Sequence, residues 1–80
     1  LLRRKQRYFF DRLRTRLALS EVDLSEDTEA RVIKRSGVPE AQVRALFTRL
    51  RRLHRTRMPE SRDLIELDQA LDRFYDEVGR

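Results

Sequence analysis

Apolar residues recur at three- and four-residue spacing along almost the whole chain, and the tripeptide Gly37-Val38-Pro39 interrupts them with a full stop. That spacing lines one face of a helix, whereas a half-buried strand would need strict alternation. Gly37 fits the left-handed position that follows a last helical residue, and Val38 can touch Ile33 as the hydrophobic partner of a Schellman motif. Pro39 suits the first position of the next helix, where its missing N–H costs nothing. With only two glycines and two prolines in the sequence, few other sharp turns are available, and the fold class is all-α.

The pattern predicts a compact bundle of four helices, at about 2–19, 26–36, 39–57 and 62–78, with a tight elbow at Gly37-Pro39. Phe9, Phe10, Leu13 and Leu17 share a face of the first helix, with Leu2 two turns earlier. Ser25 is the expected N-cap of the second, with Glu26 and Asp27 complementing the helix dipole. Val43, Leu46, Phe47, Leu50 and Leu53 line the third. Ser61 is the expected cap of the fourth, whose apolar stripe is Leu64, Leu67, Leu71, Phe74 and Val78.

Eighty residues make a single domain, 1–80, and a chain this short buries only about 60% of the surface its unfolded form exposes. A deep substrate cavity is therefore not expected, nor is a small-molecule substrate. There is no cysteine, so neither a disulfide framework nor a thiolate metal site props up the core. The chain begins at Leu1 and not at methionine, and it is expected to be a fragment of a longer protein.

The net charge of +5 is unevenly distributed. By segment, residues 1–19 carry +6, 20–38 carry −2, 39–58 carry +5 and 59–79 carry −5, with Arg80 adding one. On the third helix Arg44, Arg51 and Arg55 form a polar face, with Arg52 at its margin, and these four are the candidate basic partner surface. They could meet phosphates, but the simpler expectation is pairing with helix-four carboxylates such as Asp68, Asp72 and Asp76, or simple solvation. That aspartate ladder lacks a histidine or a glycine-bearing calcium loop, so no metal site is expected.

The catalytic inventory is thin: no glycine-rich phosphate loop, no histidine pair, and four serines without triad partners. His54 is alone, and its place beside Leu50 and Leu53 predicts a partly buried structural side chain. No enzymatic activity, cofactor or catalytic residue is expected. Phe9 and Phe10 sit at core spacing with Leu13, leaving Tyr8 as a flanking residue.

VIKRSGVPEAQVRALF resembles the helix-turn-helix of phage-repressor type proteins, with Gly37 at the turn and Val43, Leu46 and Phe47 as anchors. The resemblance implies DNA contacts from Gln42, Arg44, Arg51 and Arg55. The sequence departs from that pattern at Ile33, where a small residue is usual, and at Glu40, whose carboxylate would meet a strongly negative groove.

Read end to end, KQRYFFDRLR, RLALSEVDLSED, the elbow and ESRDLIELDQALDRFY together resemble the C-terminal cytoplasmic tail of certain bacterial membrane proteins of unknown function from MoxR and von Willebrand A gene clusters of the aerotolerance (Bat) kind. The resemblance implies a transmembrane helix just before Leu1, with this domain on the cytoplasmic side of the bacterial inner membrane. Arg3, Arg4, Lys5 and Arg7 form a cluster of the sort that flanks a span on its cytoplasmic side and attracts anionic headgroups. The expected role is a non-catalytic, helical protein-interaction or regulatory domain. A groove between helices one and three is the first place to look for the partner, and nucleic-acid binding is the alternative.

Overall fold

A computed structural model describes residues 2–78 and contains four helices: α1 (Leu2–Leu17), α2 (Glu26–Ser36), α3 (Glu40–Arg55) and α4 (Ser61–Glu77). Phe9 is the hub of the core. Its ring meets Phe47 of α3 and Phe74 of α4 edge-on, at centroid separations of 5.9 and 5.5 Å, the arrangement that aromatic quadrupoles favour. Leu13, Val32, Val43, Leu50, Leu53 and Leu67 are buried around it, so each predicted apolar face meets the others at one centre.

The helices do not simply alternate in direction. Arg49 reaches Glu66, and Gln42, with its amide turned to donate, reaches Glu77 at 3.1 Å, which sets α3 and α4 antiparallel. Arg51 of α3 donates to the Leu24 carbonyl just before α2, so α2 and α3 are antiparallel as well. Lys5 pairs with Asp68 and Phe9 packs on Phe74, so α1 and α4 run the same way. Arg35, at the end of α2, donates to the carbonyls of Leu17 and Ala18, at the end of α1.

The ends of α1 and α2 therefore lie together, and segment 18–25 must travel back along α2 before that helix starts. Eight residues of extended chain reach about 26 Å, whereas an eleven-residue helix is about 16 Å long. The segment is a strap: Leu19 is buried, and Val22 and Leu24 pack against the core.

Several helix ends differ from expectation. α1 stops at Leu17 because Ala18 takes a left-handed φ of 56°, and Arg35 satisfies two of the carbonyls that this ending exposes. Leu19 was expected inside that helix; it is buried in the strap. Gly37 is left-handed, at φ 76°, as the sequence predicts, but the Val38 amide donates to Ser36 Oγ at 3.1 Å, a serine hydroxyl accepting the bond expected for a helix carbonyl. Pro39 is the N-cap of α3 and not its first residue, and α3 ends at Arg55, two residues early, with Thr56 as its C-cap. Ser25 caps α2 through the Thr28 amide, as expected.

The cap of α4 is Glu60 and not Ser61. Its carboxylate accepts from the Asp63 amide while the Asp63 carboxylate accepts from the Glu60 amide at 3.2 Å. This reciprocal arrangement satisfies two donors that a lone serine would satisfy singly.

Candidate functional site

The arginines of α3 divide into two groups. Arg44 and Arg51 converge on Glu29 of α2, whose side chain is only 7% exposed. Arg44 Nη1 donates to Glu29 Oε2 at 3.4 Å, and its Nε donates to Glu40 Oε2 at 2.9 Å. That bond to Glu40, together with the attraction of its charge, raises the pKa of the Arg44 guanidinium above its ordinary value. Arg51 Nη2 lies 2.9 Å from Glu29 Oε1, but neither atom has a hydrogen-bond partner among the described residues; this is a charge contact and not a directed bond. The Arg51 Nε donates to the Leu24 carbonyl at 2.7 Å, and the guanidinium lies over the Phe47 ring at 5.6 Å.

The expected pairing of these arginines with helix-four carboxylates is thus corrected: their partner is on α2. Pairing with α2 follows from the antiparallel course of α2 and α3, which spacing along the sequence does not specify. A signal for Glu29 was present, since it lies three and seven residues before the buried Val32 and Ser36, a charged residue on an apolar stripe. The α3–α4 bridge is made instead by Arg49, donating to Glu66 at 2.8 Å.

Arg52 and Arg55 are exposed and form no ion pair among the described residues. They occupy the last turn of α3, where the helix dipole favours cations. His54 is exposed too, which corrects the expectation of a partly buried side chain: the apolar stripe ends at Leu53 and the ring turns outward. It lines a surface cleft of about 570 Å³.

The cleft brings together parts of the chain that are far apart in sequence. Leu2 comes from the start of α1, Leu53 from the end of α3 and Leu64 from the start of α4; Arg3, His54 and Arg57 complete its wall. The N-terminal basic cluster and the basic end of α3 therefore share one end of the bundle. Arg3, Arg4 and Arg7 are exposed there, whereas Lys5, the fourth member of that cluster, is spent on Asp68.

Carboxylates near this end are engaged elsewhere. Glu60 and Asp63 cap α4, Glu66 pairs with Arg49 and Asp68 with Lys5. Arg3 and Arg57, like Arg52 and Arg55, form no ion pair among the described residues. Beside the cleft the turn into α4 carries Met58, which is 86% exposed.

A second groove separates α1 from α4, about 340 Å³ in volume, with Tyr8, Leu71 and Tyr75 among its walls. Tyr8 and Tyr75 meet edge-on at 5.6 Å, and the Arg12 guanidinium lies over both rings. Burial, reinforced by the neighbouring Tyr8, pushes the Tyr75 phenol pKa up, and its hydroxyl has no hydrogen-bond partner among the described residues. Sequence spacing placed Tyr8 correctly at the margin of the core but gave no sign of the Arg12 contact.

Among the described residues, no group of three or more His, Cys, Asp or Glu side chains is placed to hold a metal ion. No helix there is long and apolar enough to cross a membrane.

Against this geometry, the model of the DUF4350 C-terminal helical domain matches residues 1–78. The chain belongs to that family. The four-helix fold agrees with the family's description as helical. No curated protein and no solved structure matches the chain.

Proposed function

We propose that this DUF4350 C-terminal helical domain is a non-catalytic interaction module, held at the cytoplasmic face of the bacterial inner membrane and docking a protein partner at the basic end of its bundle. The observation that carries the reading is the convergence of two sequence-distant basic stretches, at Arg3 and at His54 and Arg57, on one cleft with apolar side chains in its wall. Charge alone is a property of many surfaces. Charge rimming exposed apolar side chains is characteristic of an interface.

The membrane location draws on the N-terminal cluster. Exposed Arg3, Arg4 and Arg7 on the first turns of α1 are of the kind that stays cytoplasmic and attracts anionic headgroups, each contributing about 1 kcal/mol near a charged surface. A preceding transmembrane helix belongs to this proposal. The MoxR and von Willebrand A setting implied by resemblance would supply an ATPase or a scaffold as the partner.

The nucleic-acid alternative would need Gln42, Arg44, Arg51 and Arg55. Of these, Arg44 and Arg51 face Glu29, and Gln42 lies against Glu77, so a phosphate would have to compete with carboxylates already in place. The observations favour the protein partner.

Two measurements on the full-length protein test the proposal. Because this domain has no cysteine, a Ser20→Cys variant in an otherwise cysteine-free chain reports sidedness. A membrane-impermeant maleimide should label it in lysed but not in intact spheroplasts, and labelling in intact ones would overturn the location. A photo-crosslinking residue at position 57 should capture a discrete protein band that the same residue at position 16 does not; equal capture at both would remove the basic end as the docking site.

A further inference from the structure

We infer that the cleft between the start of α1 and the end of α3 receives an acidic segment of a partner protein, which inserts a large apolar side chain onto the half-buried Leu2 and Leu64 while its carboxylates meet Arg3 and Arg57. The inference rests on the interaction reading above and specifies the chemistry of the partner.

Three observations select this occupant. The first is charge: Arg3, His54 and Arg57 stand on the wall, no ion pair among the described residues engages them, and nearby carboxylates are tied into the α4 cap and into pairs with Arg49 and Lys5. Guanidinium groups present planar forks that suit carboxylates.

The second is the floor. A membrane surface or a nucleic-acid backbone offers phosphates to the arginines but leaves the half-buried Leu2 and Leu64 facing water, whereas an amphipathic peptide uses both sets of side chains. At about 570 Å³ the cleft lies within the ~300–1,000 Å³ range of binding pockets. The third is Met58, 86% exposed between Arg57 and Pro59, which both line the cleft. An unbranched thioether side chain at the rim can follow an incoming apolar group.

The test uses the domain labelled with ¹⁵N and a short fluorescein-labelled peptide in which Glu alternates with Leu; a control peptide replaces each Leu by Ser at the same charge. Binding of the Leu peptide should shift the amides of Leu53, His54 and Leu64. Arg3→Glu and Arg57→Glu should each weaken it about tenfold, as expected for reversing a contact at a charge-complementary interface. Arg16→Glu, an exposed change at the far end of α1, should leave affinity unchanged. All three substitutions lie on exposed residues, and circular dichroism checks that each variant is folded.

Equal binding by the Ser peptide overturns the inference, since charge would then suffice without the floor. So does failure of the Leu peptide to bind at millimolar concentration, or binding that shifts amides elsewhere. Vesicles containing phosphatidylserine and a DNA duplex are assayed in parallel. If either moves the cleft amides while the Leu peptide does not, the occupant is a phosphate surface and the peptide assignment is lost. The maleimide result reports membrane location independently, so failure of that reading remains distinguishable from failure of this one.

Discussion

The two flanks of α3 solve the same problem by different chemistry. Toward α2, its arginines are drawn onto a carboxylate that the fold has buried, and the seam is closed by charge, by the Leu24 carbonyl and by the Phe47 ring. Toward α1, the seam is closed by the Phe9–Phe47 contact, and beyond the reach of those rings it opens into the cleft, where Arg3 and Arg57 form no ion pair among the described residues. An arginine-rich helix can therefore be structural over one stretch and available over the next. Which it is depends on what the neighbouring helix brings within reach.

Substitutions that break each flank in turn separate the two roles. Phe9→Ala removes the fully buried hub on the α1 side and should cost about 3–5 kcal/mol, through lost burial and the cavity left behind. Urea denaturation would show the loss, and a drop below about 1 kcal/mol would mean that α1 is not anchored there. Glu29→Ala, on the α2 side, leaves Arg51 facing a desolvated space without its counter-charge. Because Arg44 is largely exposed and water screens its share, the expected cost is about 1–3 kcal/mol. Glu29→Ala should also flatten the salt dependence of stability, which Phe9→Ala should not.

Gly37→Ala tests the elbow that aligns the two flanks. A Cβ there meets nothing within 4 Å, so any loss comes from the φ of 76° alone and should be about 1 kcal/mol. An unchanged melting temperature would show that the left-handed turn is not a constraint.

A smaller effect is expected at the strap. Hydrogen bonds from Ser25, and then from Thr28, hold the Asp23 carboxyl at about 2, below its ordinary 3.8. The folded state prefers the charged form, so this contribution is full above pH 3.8 and is lost as pH falls through about 2. Asp23→Asn should shallow the fall in melting temperature over that window and leave the slope near neutrality alone. Smallest of all, Arg57→Ala should change stability by no more than about 0.5 kcal/mol, in contrast with the Glu29 lock. A larger loss would mean that the cleft arginine is structural after all.

The helices were legible because their apolar faces are continuous, and Ser25 and Gly37 were legible because caps are local chemistry. The ends that moved did so for reasons a short window does not contain. Ala18 turns left-handed where Arg35, far along the chain, is available to donate to the exposed carbonyls, and Glu60 displaces Ser61 as cap because Asp63 can reciprocate. The site was half legible. All eight of the basic residues singled out were placed on the right helices, but that Arg44 meets a carboxylate of α2 while Arg55 is exposed follows from the course of segment 18–25, which sets how α1 and α2 lie. No residue spacing records that course. His54 was misplaced because a stripe that stops at Leu53 looks, one residue on, much like one that continues.

The strap also has a kinetic consequence. From residue 26 onward, each helix packs antiparallel against the next through a short connection, the arrangement that closes with the least loss of chain entropy. Only α1 must dock through a connection that runs the length of another helix. The order of assembly that follows places the α2–α3–α4 unit in the folding transition state and leaves α1 to arrive late. Phe9→Ala should accordingly speed unfolding far more than it slows folding, and α1, the helix that carries Arg3 to the cleft, should be the first to leave.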